Sequence, residues 1–241
     1  MKQFCVLIGF MAVALFLSDE ARCGEAAEPN VPAAWKKLPG FVSVADWRVV
    51  PGYRHIRLRF DSPSNKREIP VNIYVPPDDP NRPERPLPLL YVLQIWEGTL
   101  HAGRDFLTNH PMILVTWSSR HPAPNSTREY DSGWWIDSIT RPKCQLETFF
   151  EKELHPLMQR SFHVVEKAAI TGFSSGAYAA HLYMLKNPEW FSSVSGLNGR
   201  YFAAGYGGTM SHSHIQRWYG KYEDHPKLHD AHSLPLLIEG H

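Results

Sequence analysis

The sequence predicts an α/β domain whose central sheet is mostly parallel, with antiparallel strands at its N-terminal side. Residues 54–60 and 69–75 alternate polar and apolar side chains with a period of two, which is typical of half-buried antiparallel strands. Later apolar runs are continuous and alternate with helical patterns, which is typical of parallel strands covered on both faces. A Gly-x-Ser-x-Gly motif at 172–176 joins one such run to a helical pattern.

The elements follow a polar, proline-bearing linker at 25–39. Turn residues at 61–65 join the two alternating strands, so these predict a hairpin. Apolar runs predict further strands at 89–96, 112–117 and 168–171, and another strand is expected at 191–197. An amphipathic helix is expected at 145–160, and an alanine-rich helix is expected to end at Lys186. Loops are predicted at 76–88, 118–131 and 198–233. The apolar run at 234–238 is predicted to be the last strand.

The N-terminus has the composition of a secretory signal peptide. A lysine precedes the apolar residues 6–17, which are too few to span a bilayer with any margin. Small residues between Ala21 and Ala27 suit a cleavage site. We therefore expect a leader at 1–27, one domain at 28–241, and a secreted or periplasmic protein. A retained membrane anchor is the alternative.

Composition limits the class of partner. The chain has a formal net charge of +1, which gives no electrostatic reason to expect nucleic acid, or a membrane after signal cleavage, as a partner. Of the three cysteines, only Cys144 lies clearly outside the leader, so we expect no internal disulfide. The 43% of apolar residues suffice for a hydrophobic core. The oligomeric state is left open.

Ser174 is the candidate nucleophile. A serine on a sharp strand-to-helix turn has its hydroxyl raised from the end of the sheet, and Gly172 and Gly176 permit the close approach of the two elements. The N–H of Ser175 would lie at the helix N-terminus, where unpaired donors and the helix dipole stabilise an oxyanion. An ordinary Gly/Ser turn is the alternative, since so short a motif also occurs by chance.

Several segments resemble the esterase D-like branch of the α/β-hydrolase superfamily. This branch includes S-formylglutathione hydrolases, enterochelin, feruloyl and acetyl-xylan esterases, and mycolyltransferases. The similar segments are Ile-Pro-Val-Asn-Ile-Tyr-Val-Pro-Pro (69–77), Leu-Leu-Tyr-Val-Leu (89–93), Glu-Thr-Phe-Phe-Glu-Lys-Glu-Leu-His-Pro (147–156), Ala-Ile-Thr-Gly-Phe-Ser-Ser-Gly (169–176) and Lys-Asn-Pro-Glu-Trp-Phe-Ser-Ser-Val (186–194). The resemblance implies an α/β-hydrolase fold and a serine carboxylic-ester hydrolase that needs no cofactor.

Carried over by position, the resemblance implies roles for three residues. Ser174 corresponds to the nucleophile and Ser175 to one oxyanion donor. The second donor of the family follows a His-Gly pair, which here reads Glu97-Gly98, so Thr99 is the matching residue. Glu97 departs from the family pattern at that place.

The resemblance also implies that the catalytic acid and histidine lie beyond this chain. In the family, a strand corresponding to 235–239 leads to a glycine, the acid follows within a few residues, and the histidine comes later. The chain stops at Gly240-His241. This predicts a domain truncated at its C-terminus, which lacks its last strand and helix and has little activity. A rewired site is the alternative.

Other patterns have simpler expected roles. Histidines between 212 and 232 show some metal-like spacings, but Pro226 opposes a regular helix through His225 and His229. We therefore expect solvated loop histidines and no metal site.

Three further groups of residues are expected to be structural or accessory. The three glutamates of residues 147–153 are expected on the solvated face of a helix. Trp134 and Trp135 would either line an acyl or sugar pocket or pack in the core. Cys144 has no companion motif and is expected to be an unreactive thiol.

A secreted serine ester hydrolase is the leading interpretation. Its substrate would be a small-molecule or carbohydrate-linked ester. An acyltransferase that uses the same acyl-enzyme is one alternative. A non-catalytic module that binds a carbohydrate or acyl ligand is another.

Overall fold

The computed structural model describes residues 32–47, 50–77, 85–94, 104–118, 120–121, 131–132, 135–199, 201, 216 and 218–240. The described strands are β1 (Phe41–Asp46), β2 (Arg54–Ser62), β3 (Arg67–Val75), β4 (Leu89–Gln94), β5 (Ile113–Ser118), β6 (Arg120–His121), β7 (Asp131–Ser132), β8 (Ala168–Phe173) and β9 (Phe191–Leu197). Seven of them form one sheet in the order β1-β2-β3-β5-β4-β8-β9, and β6 pairs with β7 separately.

The described α-helices are α1 (Ala33–Lys36), α2 (Arg104–Asn109), α3 (Leu146–Thr148), α4 (His155–Ser161), α5 (Ser175–Lys186), α6 (Pro226–Asp230) and α7 (Leu234–Glu239). Phe149–Leu154 forms a π-helix between α3 and α4, and Pro188–Trp190 forms a 3-10 turn. The amphipathic helix expected at 145–160 is thus confirmed, except that its middle part, Phe149–Leu154, is wound as a π-helix. Pro156 follows this segment closely, and a proline cannot continue the regular α-helical hydrogen bonding.

The N-terminal part of the sheet is antiparallel, as predicted. β2 and β3 pair without interruption from Arg54 opposite Val75 to Ser62 opposite Arg67. Residues in the second half of β2 alternate between buried and exposed, as the period-two pattern requires. β1, which was not predicted, extends this part of the sheet by pairing with β2. None of the residues of β1 is fully buried, so its sequence carries only a weak strand pattern.

The C-terminal part of the sheet is parallel, again as predicted. β5, β4, β8 and β9 pair with one another in parallel, and β3 meets β5 antiparallel. Parallel neighbours need long crossover connections. The helical segment from α3 to α4 lies between β5 and β8 in the chain, and α5 lies between β8 and β9. The carboxyl ends of β4 and β8 therefore lie side by side.

Two expectations for the C-terminal segment are wrong. The apolar run 234–238, expected as a strand, is the helix α7, which packs against α5. A short apolar run fits either a strand or a buried helix, and Pro235 lies in the first turn, where proline is tolerated. The segment 198–233 was expected to be irregular, but it contains α6. Pro226 opens α6 rather than breaking it, because the N–H that proline lacks has no helical partner there.

Apolar clusters lie on both faces of the sheet. α5 packs on the face that carries Ile170, and its buried residues join the larger cluster. The smaller cluster covers part of the opposite face and consists of Trp47, Val50, Tyr53, Tyr74, Val92, Leu107 and Leu114. Among the helices within the described ranges, none has both the length and the apolar character needed to cross a bilayer.

Candidate active site

Ser174 lies at the junction of β8 and α5. β8 ends at Phe173 and α5 begins at Ser175, which confirms the predicted order of strand, turn and helix. The backbone of Ser174 has φ 55° and ψ −117°, a conformation that costs free energy for any residue with a Cβ. Strain of this kind persists only where the surrounding structure enforces it, and it is typical of a serine nucleophile on a sharp turn.

Two glycines permit this turn. A Cβ on Gly172 would lie 2.2 Å from the backbone of Gly176, and a Cβ on Gly176 would lie 2.2 Å from the carbonyl oxygen of Leu93. Both distances are far below van der Waals contact. The glycines are therefore needed because β8, α5 and β4 approach one another so closely.

Backbone hydrogen bonds hold the turn from both sides. The N–H of Ser174 donates to the carbonyl oxygen of Leu197 at 3.0 Å, and the carbonyl of Ser174 accepts from the N–H of Ala177 at 3.1 Å. Leu197 has no sequence signal that could have predicted this contact, because it depends on the register of β9 against β8.

The N–H of Ser175 is available as a donor at the start of α5. It makes no hydrogen bond to any other residue in the described part of the chain. The 12 residues of α5 place their aligned peptide dipoles behind it, which favours negative charge at this end. The arrangement can hold an oxyanion, as the role predicted for Ser175 requires. The Ser175 hydroxyl is buried.

The other predicted parts of the site are not among the described residues. Thr99, the expected second oxyanion donor, lies outside them, as do Glu97, Trp134 and His241. Within the described ranges, no histidine hydrogen-bonds the half-buried Ser174 hydroxyl. The base that Ser174 needs is therefore not identified by a contact.

Two histidines expected to be solvated are buried. His229 contacts the carbonyl oxygen of Gly220 at 3.2 Å through Nε2, and burial lowers its pKa. His232 lies against Glu147 and is 4% exposed. The expectation of solvated loop histidines is thus wrong for both. Their side chains point inward because α6 and the residues after it pack on the core. In the described residues, no group of three or more His, Cys, Asp or Glu side chains could hold a metal ion.

Glu147 was expected on a solvated helix face, and this is wrong. Its carboxylate is buried, pairs with Lys186 at the end of α5, and contacts His232. The other two glutamates also have partners: Glu151 accepts from the Asn187 side chain, and Glu153 accepts from the N–H of Ser64. The helix pattern missed these contacts because partners from distant segments provide them.

Trp135 and Cys144 belong to the core. Trp135 is fully buried and packs edge-on against Trp117, with ring centroids 5.4 Å apart, so it does not line an exposed pocket. The carbonyl oxygen of Trp135 accepts a hydrogen bond from the Tyr183 hydroxyl. Burial raises the pKa of the Cys144 thiol to about 11, which keeps it protonated and unreactive.

Comparison with known proteins agrees with this geometry. The family described as Putative esterase matches residues 62–221, which is 160 of the 241 residues. The fold is similar to that of an S-formylglutathione hydrolase from Agrobacterium tumefaciens, with a TM-score of 0.65 and 20% identity over 83% of this chain and 75% of that one.

Two further solved structures share the fold. One is FphF, a fluorophosphonate-binding serine hydrolase from Staphylococcus aureus, with a TM-score of 0.55 and 14% identity over 77% of this chain and 72% of that one. The other is a CE1 ferulic acid esterase from the anaerobic fungus Anaeromyces mucronatus, with a TM-score of 0.50 and 16% identity over 73% of this chain and 72% of that one. The chain therefore belongs to the Putative esterase family and is, by family, a carboxylic-ester hydrolase with the α/β-hydrolase fold.

Proposed function

We propose that this protein hydrolyses carboxylic esters through an acyl-enzyme formed on Ser174. The observation that carries the proposal is the strained backbone of Ser174 at the junction of β8 and α5. Such a conformation raises a hydroxyl above the end of the sheet, where ligands of open α/β sheets bind. The substrate would be a small-molecule or carbohydrate-linked ester.

The reaction would proceed in two halves. Oγ of Ser174 attacks the ester carbonyl carbon while a base accepts the hydroxyl proton. The tetrahedral intermediate then breaks its bond to the alcohol oxygen, which leaves with that proton. Water attacks the acyl-enzyme in the same way and releases the acid. The N–H groups of Ser175 and Thr99 would stabilise the negative oxygen of each intermediate, and no cofactor enters any step.

The base is proposed to be a histidine outside the described residues. Serine is a weak nucleophile without a base, and loss of a triad member leaves only the residual rate that oxyanion donors and binding supply. Turnover at ordinary esterase rates would mean that the chain contains its own base.

Hydrolysis of p-nitrophenyl acetate by the full chain tests the role of Ser174. Ser174→Ala should lower the rate to the background, a loss of roughly 10³-fold or more where the triad is intact. Ser193→Ala is the matched control, because Ser193 is an exposed serine on the neighbouring strand β9. A fluorophosphonate should label Ser174 and no other serine, as detected by peptide mass spectrometry. An unchanged rate in Ser174→Ala, with labelling elsewhere, would contradict the proposal.

We also propose that the protein is secreted or periplasmic. The apolar residues 6–17 support this, since they have the length of a signal peptide. N-terminal sequencing of protein recovered outside the cytoplasm should show a new N-terminus between Ala21 and Glu28. An intact Met1 on that material would contradict cleavage.

A further inference from the structure

Two apolar side chains lie side by side at the end of the sheet next to Ser174. A Cβ on Gly172 would meet the backbone of α5, and a Cβ on Gly196 would meet its side chains, so both glycines face that helix. The residues that follow them, Phe173 and Leu197, therefore face the other way. Phe173 pairs with Leu197 in the parallel register of β8 and β9, so the two side chains are neighbours on that face.

Both side chains are open to solvent. Phe173 is 49% exposed and Leu197 is 65% exposed. A single exposed apolar residue needs no explanation, but two adjacent ones beside a candidate nucleophile form a continuous apolar surface. Phe173 precedes Ser174 in the chain, and the carbonyl of Leu197 accepts the N–H of Ser174. The backbones that carry both side chains are thus fixed to the reacting residue.

Hydroxyl groups limit this surface on the side away from Ser174. The next pair on the same face is Thr171 and Ser195, whose hydroxyl oxygens lie 2.8 Å apart, and the pair beyond it includes Ser193. An interface for another protein would extend the apolar surface along the strands, whereas along the described residues of β8 and β9 this surface ends after one pair. Half-exposed side chains of this size offer on the order of 100 Å² each, enough for a short alkyl chain or one aromatic ring.

We propose that Phe173 and Leu197, the apolar pair, bind the apolar group of the ester substrate and so determine its specificity. The inference rests on the proposed function of Ser174 and names the substrate class: esters with a short hydrocarbon chain or ring beside the scissile bond, in preference to esters with only small groups. The hydrocarbon belongs either to the acyl or to the alcohol part, and the experiment distinguishes these two sources.

The turnover test compares kcat/KM of the full chain for long and short esters. Hexanoate against acetate, both as p-nitrophenyl esters, reports on the acyl side, and hexyl acetate against methyl acetate reports on the alcohol side. Each methylene group removed from water on binding raises kcat/KM about fourfold. The wild-type kcat/KM should therefore be about tenfold or more higher for the long ester than for the short one, on either the acyl or the alcohol side. Phe173→Ala and Leu197→Ala should each lower that preference about three- to tenfold.

Phe106→Ala is the matched control, since Phe106 is 56% exposed on α2 and should leave both preferences unchanged. A wild-type preference for the short ester on both sides, or preferences that neither alanine variant alters, would overturn the inference. In that case Ser174-dependent turnover would still stand. Turnover that is independent of Ser174 would instead overturn the proposed function.

A binding measurement decides the inference even if the chain turns over too slowly. Ligand-observed NMR on Ser174→Ala should detect tighter binding of hexanoate than acetate, or of hexanol than methanol. Adding Phe173→Ala or Leu197→Ala to that protein should reduce the difference, and adding Phe106→Ala should not. Equal binding of long and short ligands to Ser174→Ala would overturn the inference without any assumption about turnover.

Discussion

Nε2 of His232 lies 2.8 Å from Oε2 of Glu147 inside the core. Nδ1 of the same ring lies 2.8 Å from the carbonyl oxygen of Leu228, and Lys186 pairs with the other oxygen of Glu147. Burial lowers the pKa of His232 to about 4, which favours a neutral ring. Oxygen atoms face both ring nitrogens, so Nδ1 carries the proton that it donates to the carbonyl oxygen of Leu228. The contact between Nε2 and Oε2 needs a further proton, which lies either on the ring or on the carboxyl group of Glu147. Glu147 therefore joins α3 to the end of α5 and to His232 in the short segment between α6 and α7.

Glu147→Ala is expected to destabilise the protein by about 3 kcal/mol, because it leaves His232 and Lys186 without their shared partner. Glu147→Gln should cost about 1 kcal/mol, since the amide N–H can donate to Nε2 of a neutral ring and the amide oxygen can accept from Lys186. Urea denaturation followed by circular dichroism measures both values.

Glu189→Ala is the control for this pair, because Glu189 is an exposed carboxylate in the 3-10 turn. It should change the free energy of unfolding by no more than about 0.5 kcal/mol. Equal losses for Glu147→Ala and Glu147→Gln would show that charge on Glu147, and not a hydrogen-bonding group, holds the contact with His232.

Asn65 joins the β2–β3 hairpin to the start of α3. Its side-chain oxygen accepts from the N–H of Gln145 at 2.7 Å, and its side-chain nitrogen donates to the carbonyl of Gln145 at 3.0 Å. Asn65 is fully buried. Asn65→Ala should therefore destabilise the protein by about 1–3 kcal/mol, since the N–H of Gln145 loses its acceptor and the carbonyl of Gln145 keeps only its hydrogen bond from the N–H of Phe149.

A neighbouring substitution should act in the opposite direction. Lys66 is exposed and has φ 50°, a conformation that favours glycine. Lys66→Gly should leave stability unchanged or raise it by up to about 1 kcal/mol. Thermal unfolding of Asn65→Ala and Lys66→Gly under the same conditions compares their stabilities with that of the wild type. A large loss in both would mean that any change in this turn is destabilising, whatever contacts Asn65 makes.

Much of the sheet could be predicted because its signals are local. The alternation in β2 and β3, the apolar run that contains most of β5, and the end of α5 at Lys186 are all visible in the sequence. The turn at Ser174 was predicted for the same reason, since glycines on both sides of a serine are visible in sequence.

The failures share a different cause. Glu147 looks like a solvated helix residue until distant segments bring Lys186 and His232 to it. α7 looks like a strand because a short apolar run has no period long enough to distinguish the two structures. Phe173 and Leu197 become neighbours only through the register of two strands. Contacts of this kind are set by tertiary packing, which single-residue patterns do not contain.

Gly172→Ala should disrupt the turn that presents Ser174. The new Cβ would lie 2.2 Å from the backbone of Gly176, so β8 and α5 would have to separate. We expect a loss of several kcal/mol, on the scale of a strongly overpacked core, together with loss of fluorophosphonate labelling at Ser174. Gly240→Ala is the matched control, since its Cβ would meet nothing closer than 3.5 Å. A Gly172→Ala protein with normal stability and labelling would contradict the close approach of strand and helix.

His155 should make stability depend on pH. The Tyr91 hydroxyl lies 2.9 Å from Nδ1 of His155, and the ring stacks on Trp190 with centroids 4.6 Å apart. Burial lowers the pKa of His155 from 6.5 to about 4. A neutral ring accepts the hydroxyl proton of Tyr91 at Nδ1, whereas a protonated ring cannot.

Acid is therefore expected to favour unfolding. Between pH 6.5 and 4 the unfolded chain binds a proton at His155 that the folded protein does not, so stability falls as the pH falls, with a slope of at most about 1.4 kcal/mol per pH unit from this group. His155→Phe keeps an aromatic ring but has nothing to protonate. It should be less stable at pH 7 by about 1–2 kcal/mol, because the Tyr91 hydroxyl loses its acceptor. Its urea midpoint should nevertheless fall less steeply than that of the wild type from pH 7 to pH 4. Equal slopes in the two proteins would contradict this role of His155. Some slope should remain in the variant, because burial also lowers the pKa of His232.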